Sequence, residues 1–93
     1  MSAASGRATI THAAGLHARP AVRLTKLAKT FAAEVRLRGL PDGAPVDAKS
    51  IVKVMGLKLR AGTILAFDAE GDDAEAAVEA LTALVERRFD EDG

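Results

Sequence analysis

The chain has 93 residues, the length of one small domain, and balances 13 Lys and Arg against 13 Asp and Glu. It has no cysteine, which excludes disulfides, thiolate metal sites and cysteine nucleophiles. It also has no tryptophan or tyrosine, which disfavours nucleic-acid binding by base stacking. No apolar run approaches the ~20 residues of a membrane span and no signal-peptide pattern opens the chain, so we expect a cytoplasmic protein without membrane insertion.

The first third of the chain predicts a strand and then an amphipathic helix. Residues 1–6 are small and polar and predict a disordered start. Residues 7–12 alternate and predict a strand whose inward face holds Ala8, Ile10 and His12. Gly15 ends it, and Pro20 fits only in a first helical turn, so a helix begins within a residue or two of His17. The buried stripe of this helix is Ala21, Leu24, Leu27, Ala28 and Phe31.

The middle of the chain predicts two short strands and a short helix. Residues 33–38 alternate, with Val35 and Leu37 facing inward. The glycine- and proline-rich turn at 39–45 precedes a brief strand around Val46. A helix follows near Ser50, and its apolar positions are Ile51, Val54, Met55 and Leu57.

The last third predicts one strand and the clearest helix. Residues 63–69 predict a strand with Leu65, Phe67 and Ala69 on one face. Residues 73–88 predict a helix, with Asp73 placed to cap its start. The order βαββαβα predicts an α+β fold, a two-layer open-faced sandwich in which three helices cover one face of a four-stranded, mainly antiparallel sheet. We expect one domain over residues 1–93, with disordered tails at 1–6 and 90–93.

His17 stands where a helix begins, and this placement indicates phosphate chemistry. The first turn of a helix has backbone amides without internal partners and carries about half a positive charge, so it binds anions. Arg19 adds a permanent cation whose forked donors suit phosphate. A neutral imidazole at His17 could attack phosphorus, and the product would find its negative charge already stabilised. The alternative is an ordinary surface or capping histidine.

Other chemistries have less support in the sequence. His12 and His17 are the two histidines of the chain, and no carboxylate stands close to either, so we expect no metal site. The sequence lacks the G-x-S-x-G motif of serine hydrolases, which disfavours acyl transfer.

The charges are distributed unevenly along the chain. Residues 1–60 carry eleven Lys and Arg against three acids, and residues 61–93 carry two against ten. One interpretation is a basic surface that steers an acidic partner or a phosphorylated group. The other is a set of solvated faces whose asymmetry has no function.

Two motifs resemble one family of proteins. The stretch GLHARPA at 15–21, followed by AKSIVKVMGL at 48–57 and a C-terminal amphipathic helix, is similar to HPr, the histidine-containing phosphocarrier family of the bacterial phosphoenolpyruvate-dependent phosphotransferase system, which includes the nitrogen-related NPr branch. The resemblance runs from about Arg7 to Arg88. It implies that His17 accepts a phosphoryl group on Nδ1 from Enzyme I and passes it to a IIA-type component, and that Arg19 accompanies the phosphohistidine. A carrier of this kind is not a turnover enzyme, needs no cofactor or metal, and is expected to be a monomer.

The resemblance also implies regulation and a docking surface. Ser50 matches a serine that a dedicated HPr kinase phosphorylates in some lineages, although a favoured N-cap alone would explain it. The positions that match the partner-facing surface are Leu16, Pro20, Lys26, Lys29, Ile51, Val52, Lys53 and Met55. For Ile51, core burial and partner contact are equally consistent with the sequence.

The chain departs from the family pattern at a few positions, and two other functions remain open. Ala14 replaces a frequent Asn, Ser or Thr, Lys58 replaces a frequent glycine, and the turn at 39–45 is longer than usual. One alternative function is a regulatory module in which His17 is vestigial and Ser50 or the basic surface signals. The other is a small phosphatase or phosphotransferase, which would need an acid to protonate its leaving group, and none stands near GLHARPA.

Overall fold

The computed structural model describes residues 2–11, 15–16 and 18–90. The elements in chain order are β1 (Ala3–Thr9), α1 (Ala18–Lys29), β2 (Glu34–Gly39), β3 (Val46–Asp47), α2 (Ile51–Gly56), β4 (Ile64–Glu70), α3 (Ala74–Glu86) and a 3-10 turn (Arg88–Asp90). This order confirms the predicted βαββαβα arrangement.

The four strands form one sheet in the order β1-β4-β2-β3, and every pairing between them is antiparallel. The central strand β4 aligns Leu65 with Ala8 of β1 and Phe67 with Leu37 of β2. These side chains are buried with the inward faces of the three helices in one core. The opposite face of the sheet is exposed, so the α+β two-layer sandwich predicted from the sequence is confirmed.

The first strand begins earlier than the alternation of residues 7–12 predicts. Residues 3–6 pair with β4 from Glu70 to Phe67, so the predicted disordered start at 1–6 is wrong for these four residues. Their small side chains suit close packing under α3, because a Cβ added at Gly6 would lie 2.7 Å from Cγ1 of Val78. His12, predicted to share the inward face of this strand, lies outside the described residues.

The chain after α3 is also more ordered than the sequence predicts. The helix ends at Glu86, and Phe89 is fully buried where the 3-10 turn meets α1 and α3. Arg88, Phe89 and Asp90 all have φ near +57° to +59°, a left-handed turn that burial of the Phe89 ring helps to hold. Asp90, predicted to begin a disordered tail, instead accepts from Nε of Arg87 at 2.9 Å.

Asp73 occupies the N-cap position of α3 but does not cap this helix through its side chain. Its carboxylate accepts from the backbone amides of Ala32 and Ala33, both at 2.8 Å, and thereby fastens the loop between α1 and β2. Nζ of Lys49 donates to the carbonyl of Phe31 at 2.7 Å and holds the same loop. The amide of Ala32 is the main reason that the pKa of Asp73 is lowered, and the charge of Lys49 contributes.

We expect Asp73→Asn to lower the melting temperature at neutral pH, because the amide that replaces one oxygen cannot accept from a backbone N–H. A carboxyl group whose pKa is lowered by folding stabilises the protein above its unfolded pKa of about 3.9 and loses this effect as the pH falls through its folded pKa. The melting-temperature difference between wild type and variant should therefore be full at neutral pH and vanish in strong acid. A difference that is constant across this range would contradict the assignment.

Candidate functional site

The first predicted site residue, His17, lies outside the described residues, but both of its chain neighbours are described. Ala18 is the first residue of α1, which confirms the predicted helix start. The first turn of this 12-residue helix contains no acidic residue, so no side chain there opposes a bound anion. Arg19 is exposed on that turn, and Pro20 is buried in it.

A tight backbone contact fixes the chain just before His17. The amide of Leu16 donates to the carbonyl of Leu59 at 2.9 Å. Gly15 has φ +72°, and a Cβ added there would lie 2.5 Å from the Leu59 carbonyl oxygen. Because the obstacle is backbone rather than a flexible side chain, position 15 requires glycine.

Ser50, the second candidate for phosphorylation, is the N-cap of α2. Its hydroxyl accepts from the amide of Lys53 at 3.3 Å, and its backbone is extended, as expected for a cap. The side chain is partly exposed. Capping of α2 therefore accounts for a serine at this position, whether or not a kinase modifies it.

The predicted docking residues separate into two groups. Six of them have exposed or partly exposed side chains on α1 and α2, which pack against each other: Lys26, Lys29, Ile51, Val52, Lys53 and Met55. Val52 is 78% exposed and Met55 40%, and Ile51 packs partly against the core. We call the outward side of α1 and α2 that carries these six residues the helical face.

Leu16 and Pro20 do not belong to the helical face, which corrects the prediction for both. Leu16 is 3% exposed and Pro20 less than 2%, because they close the core beneath the start of α1. They offer no surface to a partner, and their burial serves to fix the chain on both sides of His17.

Val22 and Arg23 lie beside the predicted docking residues, although neither was predicted from the sequence. Both are exposed on α1, and with Arg19 and Lys26 they line an open groove along its outer side. They stand three or four residues from Arg19 and Lys26 and therefore share one side of the helix with them, so this spacing could have indicated both residues from the sequence.

Neither a metal site nor a membrane span is found in the part of the chain that the structure describes. Within residues 2–11, 15–16 and 18–90, no three His, Cys, Asp or Glu side chains are grouped closely enough to bind a metal ion. None of the helices in this part is both long enough and apolar enough to cross a bilayer.

A family model described as the PTS HPr component phosphorylation site matches residues 4–87. The chain belongs to the HPr family. Members of this family are phosphocarriers of the phosphotransferase system rather than turnover enzymes, and so is this chain. The two signature stretches at 15–21 and 48–57, from which the resemblance was inferred, both lie within the match.

Individual relatives support the same assignment. The phosphocarrier protein HPr of Cupriavidus necator is 41% identical over 89% of this chain and 91% of its own length. The phosphocarrier protein NPr of Proteus mirabilis is 37% identical over 92% of this chain and 94% of its own. The crystal structure of HPr-C-His from Thermoanaerobacter tengcongensis is 35% identical, covers 100% of both chains and superposes with a TM-score of 0.85.

The capping role of Ser50 predicts a small, specific loss of stability. Ser50→Ala should lower the free energy of unfolding by about 0.5 kcal/mol, the low end of the range for N-caps, because the bond to the Lys53 amide is long. Ser50→Thr keeps a capping hydroxyl and serves as the control. Urea denaturation measures both, and an equal loss in the two variants would contradict the assigned cap.

Proposed function

We propose that His17 accepts a phosphoryl group on Nδ1 from Enzyme I, with phosphoenolpyruvate as the ultimate donor, and passes it to a IIA-type component. The observation that carries the proposal is the start of α1 at Ala18, directly after His17 in the chain, with no acid in the first turn. The amides of that turn favour the negative charge of a phosphohistidine, and the guanidinium of Arg19 adds a cation on the same turn.

The transfer is a displacement at phosphorus. The lone pair of Nδ1 on neutral His17 forms a P–N bond while the P–N bond to the partner's histidine breaks, and the departing imidazole keeps the electron pair. The second transfer repeats these events in the opposite role, with His17 as the leaving group. Because each partner contributes its own histidine, this chain supplies positioning and charge, and the proposal requires neither cofactor nor metal.

The helical face is the proposed docking surface for both partners. Lys26, Lys29 and Lys53 give positive charge to this face, which also exposes the apolar side chains of Val52 and Met55. This composition suits a partner with an apolar patch surrounded by acids. Since Enzyme I and the IIA-type component would use the same face in turn, we propose that the protein acts as a cytoplasmic monomer.

We expect one acid-labile, alkali-stable phosphoryl group on the wild type after incubation with phosphoenolpyruvate and a bacterial Enzyme I. His17→Ala should take up none. Arg19→Ala should be labelled about tenfold more slowly, the loss expected for one charge-assisted hydrogen bond to phosphate. Intact mass spectrometry with time points measures all three proteins.

Two outcomes would contradict the proposal. No labelling of the wild type by any of several Enzyme I homologues would favour the regulatory module in which His17 is vestigial. Hydrolysis of a small phosphate ester by this chain alone, abolished in His17→Ala, would favour the small phosphatase.

We further propose that a kinase phosphorylates Ser50 and thereby weakens docking. Ser50 is the N-cap of the helix that carries Val52, Lys53 and Met55, so a phosphate there would place about two negative charges beside the basic residues of the helical face. An acidic partner would then meet repulsion where the unmodified protein attracts it.

Ser50→Asp should therefore raise the KM for phosphorylation by Enzyme I relative to Ser50→Asn, by several-fold at low salt. Aspartate and asparagine both keep an N-cap oxygen, so the comparison isolates the added charge. The difference should shrink as ionic strength rises, because an interaction between exposed charges is screened. Equal KM values for the two variants at low salt would contradict the electrostatic mechanism.

A further inference from the structure

The loop between α2 and β4, residues 57–63, holds the chain on both sides of the segment that leads to His17. Before this segment, Ile10 donates to the carbonyl of Thr63 at 2.8 Å and accepts from the amide of Gly62 at 2.7 Å. After it, the amide of Leu16 donates to the carbonyl of Leu59 at 2.9 Å. One loop thus determines where the segment leaves β1 and where it meets α1.

Leu59 is the residue of this loop that is held from two directions. Its carbonyl accepts from the amide of Leu16 and lies against Gly15. Its side chain, partly buried against the core, packs over Gly39 at the end of β2, where an added Cβ would lie 2.7 Å from Cδ2 of Leu59. Two glycines, one on each side, therefore make the space that Leu59 occupies.

The residue before Leu59 has an unfavourable backbone conformation. Lys58 has φ +51°, a left-handed conformation that costs a residue with a Cβ about 1 kcal/mol or more. Its amide donates to the carbonyl of Met55 at 3.2 Å and so closes the end of α2. The turn at Lys58 directs the chain from the helical face to the position at which the Leu59 carbonyl meets Leu16.

We propose that Leu59 is a positioning residue for phosphoryl transfer. The proposal rests on the proposed function of His17. The Leu59 carbonyl fixes Leu16, the residue directly before His17, and Gly39 fixes Leu59 by leaving room for its side chain. Displacing the side chain shifts the carbonyl, and the phosphoryl acceptor then loses its alignment with the first turn of α1. Since transfer depends on near-attack geometry, a shift of about 1 Å is enough to slow it as much as 100-fold.

Gly39→Ala tests this relation without a substitution at Leu59, at His17 or on the helical face. The new Cβ meets the far end of a flexible leucine, so the leucine is expected to move while the fold is kept. Gly6→Ala is a matched control, because its Cβ would also meet a side-chain methyl at 2.7 Å, but that methyl belongs to Val78 in α3. Leu59→Ala is a second variant that removes the side-chain anchor and keeps the carbonyl.

We expect Gly39→Ala and Leu59→Ala to lower the kcat for phosphorylation by Enzyme I at least tenfold with little change in KM. The pKa of the His17 imidazole, followed by NMR in the folded proteins, should also change in both variants. Gly6→Ala should match the wild type in kcat and in this pKa, whatever its stability. A merely structural role for Leu59 would change the melting temperature and leave both of these measurements unmoved.

Different outcomes contradict the proposed function and the positioning role of Leu59. If the wild type takes up no phosphoryl group from any Enzyme I, the proposed function is wrong. If the wild type is labelled and both Leu59-directed variants keep the kcat and the imidazole pKa of Gly6→Ala, the positioning role of Leu59 is overturned.

Discussion

The burial of one stripe of α1 is the constraint on which the site depends. Ala21, Leu24 and Ala28 have no exposed surface, and a fully buried leucine contributes about 2 kcal/mol. This burial fixes the rotation of the helix about its axis, so Arg19, Arg23 and Lys26 must point outward. The same packing that stabilises the sandwich therefore sets the direction of the basic side chains on the helix that begins directly after His17.

The helical face carries three lysines and no acid among the six residues that define it. Its lysines lie on α1 and α2, while the acids that the structure describes in the last third of the chain lie on β4, on α3 or in the turns next to α3. One of these acids, Asp73, has a structural role, because its carboxylate binds the loop that follows α1. A protein of zero net charge thus has one positive face, and a face of this kind raises the rate of encounter with acidic surfaces in general.

Local pattern was sufficient for most of the fold. Alternation, helical spacing and turn residues located the seven main elements. Pro20 placed the start of α1 within a residue or two of His17, because proline is restricted to the first turn. Less of the candidate site could be predicted. The residues that identify the family lie in two contiguous stretches, whereas the burial of Leu16 and Pro20 depends on tertiary packing.

The errors concern features that depend on distant parts of the chain. Residues 3–6 have no strand-like alternation, and they are ordered because β4 pairs with them and α3 covers Gly6. The hydrogen bonds of Asp73 join positions about 40 residues apart, so a local rule assigned it to the nearest helix instead. Leu16 was assigned to the partner-facing surface by the family resemblance, yet it is buried, and its amide is bound to the carbonyl of Leu59. In each case tertiary packing outweighed the local preference.

The central claim is that the phosphoryl group resides on Nδ1 of His17 at the start of α1. The most direct test is NMR of the phosphorylated, nitrogen-15-labelled protein, in which coupling between phosphorus and a ring nitrogen identifies the bonded atom. We expect coupling to Nδ1 of His17, together with the largest amide shifts in the first turn of α1. Coupling to Nε2, or a phosphoryl group attached to the hydroxyl of Ser50 after treatment with Enzyme I and phosphoenolpyruvate, would contradict it.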